Sequence, residues 1–273
     1  MSRYAAMFER CRAEDRIAFG GFVVLGHPGR DRCLDLLDAL IEGGADMVEV
    51  GIPFSDPVAD GPVIARAGKE ALEAGITPDH CLEMLATFRA RHPGVPVGVL
   101  TYANIVVARG REVFARELAQ AGVDSLLVAD VPSIEAAPFA TAAREAGIDP
   151  VLIAAPNTPD DKLDLIARLG GGYTYCVARA GVTGAGTAPA ISHQPLFAAL
   201  AERNAPPPVL GFGISTPAHV RAAAAAGAAG VISGSAIVAR ACEGPQAVAS
   251  LVQSLCATPR TSGTENCADR IDA

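Results

Sequence analysis

The stretch Val48-Glu49-Val50-Gly51-Ile52-Pro53-Phe54-Ser55-Asp56-Pro57-Val58-Ala59-Asp60-Gly61-Pro62 begins as a buried strand and ends as a loop too rigid to be a plain connector. Met47, Val48 and Val50 are apolar strand formers, and a carboxylate stands among them at Glu49. A parallel strand is covered on both faces and reads as a continuous apolar run. A charge inside such a run is costly unless it is paired, protonated or used. The loop beyond it carries Pro53, Pro57 and Pro62, with Asp56, Asp60 and Gly61 between them. Proline fixes φ, so the loop is confined to a few shapes. A buried Glu followed by an Asp on a stiffened loop is what an acid/base site needs.

Outward from this stretch, one cue repeats. A small-residue or Gly step precedes a short apolar run at Gly44–Val50, Gly122–Val128, Gly147–Ile153 and Gly227–Ser233. Each Gly fits a helix C-terminus and each run the next strand. Ala18–Leu25, Pro96–Tyr102, Gly172–Ala178 and Pro208–Phe212 bring the expected strands to eight. Helical patterns lie between them, at Arg30–Glu42, Pro62–Ala74, Pro78–Arg91, Arg111–Ala121, Ser133–Ala146, Asp160–Leu169, Gln194–Ala201, Thr216–Ala226 and Pro245–Ala257. Alternating β and α over about 250 residues has the rhythm of a (β/α)8 TIM barrel. An open doubly wound sheet is the alternative, but its Gly-rich first turn is replaced here by Gly26-His27-Pro28-Gly29. Arg3–Arg12 reads as an extra N-terminal helix. One barrel domain over residues 1–257 is expected, with 258–273 a disordered polar tail.

The composition narrows the function. Of 273 residues half are hydrophobic, and the formal net charge is −8. That charge argues against nucleic acid and anionic membranes as partners. No apolar run approaches membrane-spanning length, and the N-terminus does not read as a signal peptide. Seven scattered cysteines without a Cys-x-x-Cys read as reduced thiols of a cytoplasmic protein.

In a TIM barrel the chemistry sits at the C-terminal ends of the strands. Glu49, Tyr102, Asp130 and Tyr175 fall there, followed by Gly-rich turns at Gly181–Gly184, Gly211–Ile214 and Ser233–Ser235. Backbone N–H groups in such turns cradle phosphate. Plainer readings exist. Glu49 can be a paired structural carboxylate, although no Lys or Arg lies near it in sequence. Asp60 can cap the helix that starts near Pro62. Tyr102 and Tyr175 can be core or pocket wall. His80, His92, His193 and His219 read as solvated surface. A Schiff-base aldolase needs a lysine at a strand end, and the only lysines, Lys69 and Lys162, fall in helical patterns. A metal aldolase needs clustered His and carboxylates; His27 follows the first strand, but no further ligands are evident, so no metal is expected. What remains is acid/base work by Glu49 and Asp60 on a phosphorylated substrate.

The segment Glu49–Pro62 closely resembles the signature of the tryptophan synthase alpha subunit family. The likeness extends through Leu127–Pro132, Gly172–Tyr175, Gly181–Ala185, Gly211–Ser215 and Gly227–Ile237, covering residues 3 to 257. The resemblance implies a TIM barrel that cleaves indole-3-glycerol phosphate by a retro-aldol reaction to indole and glyceraldehyde 3-phosphate. It implies Glu49 and Asp60 as catalytic groups. It places Phe22, Leu100, Leu127, Ala129, Ile153 and Ile232 around the indole, with Tyr102, Tyr175, Thr183 and Phe212 also at the substrate. Gly184, Gly213, Gly234 and Ser235 would hold the phosphate. The implied partner is a beta subunit in an alpha2beta2 assembly, touching Asp56 and Pro57. Pyridoxal phosphate is expected only on that beta subunit, and no cofactor on this chain. The chain departs from the family at Gly21, Val24 and His27, where Pro, Thr and Asp are more usual, and at Ala180, where Ser is common. These departures bear on lid closure in loop 179–189 and on beta coupling. Two further readings are a stand-alone lyase that releases free indole and a catalytically weak alpha-like activator of beta.

Overall fold

The computed structural model describes residues 1–177 and 193–257. Ala178, Ala180, Thr183, Gly184, the loop 179–189 and the expected tail 258–273 lie outside them.

The strands are β1 (Ala18–Val24), β2 (Met47–Gly51), β3 (Val97–Thr101), β4 (Ser125–Val128), β5 (Asp149–Pro150), β6 (Leu152–Ala154), β7 (Thr174–Val177), β8 (Pro208–Gly211) and β9 (Gly230–Ser233). The helices are α1 (Arg3–Ala13), α2 (Arg30–Glu42), α3 (Pro62–Glu73), α4 (Pro78–Arg91), α5 (Ala103–Arg109), α6 (Arg111–Gln120), α7 (Ala137–Glu145), α8 (Asp160–Leu169), α9 (Gln194–Glu202), α10 (Pro217–Ala225), α11 (Ser235–Arg240) and α12 (Pro245–Cys256). All strand pairs are parallel, in the order β5-β4-β3-β2-β1-β9-β8-β7-β6. β5 and β6 flank Val151, whose N–H donates to Leu126 O of β4 at 2.9 Å. The first half of this run pairs with β4 and the second with β7, which brings the two ends of the sheet together. The expected eighth-fold alternation is therefore present, with the fifth strand, expected whole over Gly147–Ile153, split in two. Pro150, which has no N–H to give a ladder, marks the split.

The four glycines of the repeated cue, Gly44, Gly122, Gly147 and Gly227, all have φ between 82° and 100°. A side chain at that φ is strained, so glycine ends each helix and turns the chain into the next strand. α5 and α11 are not among the helices expected from the sequence. They follow β3 and β9 directly and are only seven and six residues long, too short for a 3.6-residue periodicity to stand out in sequence.

Two apolar layers result. One lies between the barrel and its helices and takes Val48, Val50, Val97, Val99 and Leu126 from the outward faces of the strands. The other fills the barrel with Phe22, Val24, Met47, Leu127, Val151, Tyr173, Tyr175, Val177, Val209 and Ile232. The two-residue strand period places Met47, Glu49 and Gly51 on the inward face of β2. α1 closes the N-terminal mouth with Tyr4, Met7, Phe8 and Cys11. Beside it, buried Asp46 accepts from Arg16 Nη1 at 2.6 Å, Arg10 Nη2 at 2.9 Å and the Phe19 N–H at 3.0 Å. These bonds hold its carboxyl below the usual range against the cost of burial.

Candidate active site

β2 delivers Glu49 to the barrel interior. It pairs in register with Phe22 of β1 and Gly98 of β3, and its residue is 2% exposed. Gly98 leaves room on that side, because a Cβ there would lie 2.6 Å from Ser125 Oγ and 2.9 Å from the Tyr4 hydroxyl. The Tyr173 hydroxyl donates to Glu49 Oε1 at 2.8 Å. Glu49 Oε2 is buried with no partner among the described residues. Burial pushes the Glu49 carboxyl up to about 7, against the smaller downward pull of Tyr173. A carboxyl poised near neutrality can give or take a proton at similar cost. The structural reading of Glu49 as half of an ion pair has no support: its recorded side-chain partner is a neutral phenol.

Tyr173 is not among the site residues expected from the sequence. It lies in the Gly172–Tyr175 segment, and strand periodicity puts it on the same face as Tyr175. Tyr173 in turn packs edge-on against Tyr4, with ring centroids 5.3 Å apart, and Tyr4 hydrogen-bonds Ser125 Oγ at 2.8 Å. The barrel plug thus braces the residue that holds Glu49.

Asp60 arrives from the other side, on the loop that joins β2 to α3. The Tyr102 hydroxyl donates to it and accepts the Ala59 N–H at 3.3 Å. The Tyr102 ring stacks on Phe54 with centroids 5.1 Å apart and planes 29° apart. Tyr102 therefore ties the end of β3 to both ends of the proline-rich loop. Burial raises the Asp60 carboxyl, and the Tyr102 bond offsets part of that rise. The helix-cap reading of Asp60 does not hold: the N-cap of α3 is Gly61, with no side-chain capping bond.

An open cleft of about 300 Å³ is lined by Phe22, Val24, Gly51, Ile52, Pro53, Phe54, Pro57, Asp60, Ile64, Ala65, Gly68, Leu100 and Tyr102. Glu49 lies two residues before Gly51 on the same strand face, about 7 Å deeper by strand rise. Leu127, Ala129, Ile153, Tyr175, Phe212 and Ile232 belong to the same interior cluster as Phe22 and Leu100. Tyr175 meets Phe212 edge-on at 5.9 Å. The fold thus gathers Phe22, Leu100, Tyr102, Leu127, Ala129, Ile153, Tyr175, Phe212 and Ile232 at one end of the barrel interior.

On the far side, Phe212 (φ 77°) and Gly213 (φ 76°) are both left-handed. For Phe212 that conformation costs about 1–2 kcal/mol, a strain typical of functional turns. Gly234 is the N-cap of α11 and Ser235 its first residue. The opening N–H groups of a helix have no intrahelical acceptor and attract anions. Asp56 is exposed at the tip of the β2–α3 loop and accepts from Ser55 Oγ at 2.5 Å; the adjoining Pro57 is half-buried. Val58 beside them is 69% exposed. His27 turns to Glu70 of α3 and to Cys242. Among the described residues no group of three or more His, Cys, Asp or Glu side chains is placed to hold a metal ion. Of the other histidines, half-buried His80 completes a capping box with Thr77, half-buried His92 bonds Asp38, half-buried His193 stacks on Phe197, and exposed His219 accepts the Ser215 N–H at 3.3 Å.

A family model described as tryptophan synthase alpha chain matches residues 8–265. The chain belongs to the tryptophan synthase alpha chain family. It is 55% identical to the alpha chain of Shewanella amazonensis over 240 residues, which is 88% of this chain and 90% of that one. It is 53% identical to the alpha chain of Klebsiella pneumoniae, over 87% and 88% of the two chains. A tryptophan synthase structure from Mycobacterium tuberculosis superposes with a TM-score of 0.86 at 33% identity, covering 95% of this chain and 99% of that one. The alpha subunit of Legionella pneumophila gives 0.82 at 29% identity, covering 93% and 97%. As a tryptophan synthase alpha chain the protein is a lyase that cleaves indole-3-glycerol phosphate to indole and glyceraldehyde 3-phosphate. Membership implies a beta-subunit partner and an alpha chain that itself needs no cofactor. No helix among the described residues is long and apolar enough to cross a membrane.

Proposed function

We propose that Glu49 and Asp60 carry the cleavage between them, from opposite sides of the bound indole. The bond to be broken joins indole carbon 3 to the glycerol chain. Glu49, protonated at the start, gives its proton to carbon 3, which becomes tetrahedral. Positive charge then spreads onto the ring nitrogen, and Asp60 accepts the N–H bond that strengthens as it does so. The Glu49 carboxylate next removes the proton from the glycerol hydroxyl beside that carbon. The carbonyl of glyceraldehyde 3-phosphate forms, the carbon–carbon bond breaks, and its electron pair returns to the ring. Indole leaves neutral and Glu49 is protonated again. One group must act as acid and then as base, and a carboxyl near 7 suits both steps. The observation that carries this reading is the buried Oε2 of Glu49, without a partner among the described residues, beneath the cleft that Asp60 lines.

Phe22, Leu100, Leu127, Ala129, Ile153 and Ile232 hold the indole and exclude water. Tyr102, Tyr175, Thr183 and Phe212 complete the pocket. Gly184, Gly213, Gly234 and Ser235 bind the phosphate through backbone N–H groups, which suits a chain with net charge −8 and little lysine. Residues 1–257 act as one domain in the cytoplasm, in an alpha2beta2 assembly whose beta subunits hold pyridoxal phosphate and meet Asp56 and Pro57. The test is Glu49→Gln. Cleavage should fall by about 10²–10⁴ while a glycerol-phosphate analogue still binds. Near-normal turnover would remove Glu49 from the mechanism.

A further inference from the structure

The departure at His27 creates a three-residue relay away from the cleft floor. His27 lies in the turn after β1 with its side chain 6% exposed. Its Nδ1 faces Glu70 Oε2 of α3 at 3.3 Å. Its Nε2 faces Cys242 Sγ, just beyond α11, at 3.9 Å, within reach of a sulfur hydrogen bond. The two contacts use opposite ring nitrogens, so they define a line rather than a metal cage. Glu70 beside Nδ1 favours the tautomer with its proton there, which leaves Nε2 free to accept from the thiol. Burial keeps His27 below its ordinary value, so the ring is a neutral base at pH 7. Nδ1 makes no well-aligned hydrogen bond among the described residues, and the carboxylate has room to draw in as the ring becomes charged. Cys242 is exposed, whereas Cys11, Cys33, Cys81 and Cys176 are buried.

A nucleophile beside a base, with a third group orienting that base, is the arrangement that activates a thiol. We propose that Cys242 is a reactive thiol, activated by His27 and Glu70, that undergoes exchange with small disulfides. The S–H proton passes to His27 Nε2. The thiolate attacks one sulfur of the disulfide, a Cys242–sulfur bond forms, and the old S–S bond breaks. The second sulfur leaves as a thiolate and takes up the proton from His27. The incoming disulfide is the oxidant, and one half of it stays on the protein. Cys256, half-buried, gives its S–H to Gly44 O at 3.4 Å, and burial pushes it up to about 12. It provides an internal contrast within the same molecule.

The probe is 2,2′-dithiodipyridine, an uncharged disulfide that avoids repulsion by this acidic chain. Peptide mapping of the full-length protein reads each thiol separately. Cys242 should react first among the cysteines of the described residues, at least about threefold faster than the same residue in a synthetic peptide of residues 238–247. His27→Gln should bring Cys242 back to the peptide's rate. Glu70 is 48% exposed, so Glu70→Gln keeps the fold and should lower the rate in the same direction. Wild-type Cys242 reacting no faster than the peptide would overturn the proposal. So would an undiminished rate in Glu70→Gln together with His27→Gln.

Discussion

The hydroxyl of Tyr173, just before β7, reaches across the barrel to Glu49 Oε1 on β2, at 2.8 Å, while the other oxygen of that carboxyl has no partner among the described residues. A donor aimed at a carboxylate stabilises its charged form and lowers its pKa, but burial acts more strongly here and the net result is a rise to about 7. Tyr173 thus sets how far the rise goes.

Tyr173→Phe removes the downward pull and should move Glu49 further up. The bend in the kcat/KM profile that belongs to Glu49 shifts to higher pH, with the fold intact because the ring still packs on Tyr4. Profiles of the two proteins between pH 5 and 9 make the check. Superimposable profiles would mean that the phenol has no hold on the carboxyl.

Glu49 should also cost stability in a defined window. Its folded-state pKa is raised above the unfolded value, so its favourable contribution is complete below about 4.5 and is lost as pH rises through about 7. Glu49→Gln should therefore match wild type at pH 4.5 and exceed it at pH 8. The excess is on the order of 3 kcal/mol, from about 1.4 kcal/mol for each unit between the two values. Urea unfolding at the two pH values tests this. An equal stability difference at both would show that ionisation is not the cause.

Gly51 is fixed by the cleft wall opposite. A Cβ there would meet Phe22 Cζ at 2.8 Å, and the Phe22 ring lines the cleft. Gly51→Ala should cost about 1–3 kcal/mol in stability through overpacking and lower kcat/KM by about tenfold or more. Gly51→Ala with Phe22→Leu should recover part of both. A single variant with normal kinetics would separate the Phe22 ring from substrate binding.

The exposed tip of the β2–α3 loop, where the beta contact is proposed, lies on the same loop as Asp60. A cognate beta subunit should raise cleavage at least about tenfold, which needs only about 1.4 kcal/mol of coupling. Asp56→Ala should lose that activation while its isolated rate stays at the wild-type isolated level. Rates with and without saturating beta subunit decide the matter, and full activation in the variant would place the coupling elsewhere.

The alternation of strands and helices is legible along the chain, and the chain alone carries it. Gly44, Gly122, Gly147 and Gly227 each end a helix in a conformation only glycine takes readily, and each announces the strand that follows. The chain also shows that Glu49 is unusual, since a carboxylate in an apolar run stands out without any knowledge of its neighbours. Local rules of this kind act over a few residues and are written along the chain. The rest depends on contacts between residues far apart in the chain. Tyr173 lies 124 positions from Glu49, and Tyr102 lies 43 from the Ala59 N–H it accepts; nothing local distinguishes these tyrosines from ordinary core rings. The split of the fifth strand depends on barrel closure, where one short run must pair with β4 at its start and β7 at its end. That Asp60 lines the cleft rather than capping α3 depends on the folded barrel: Gly61 holds the cap position, and Tyr102, from the end of β3, bonds the Asp60 carboxyl. The charge state of Glu49 follows from how deeply the closed barrel buries it, a quantity that exists only once all the strands are in place.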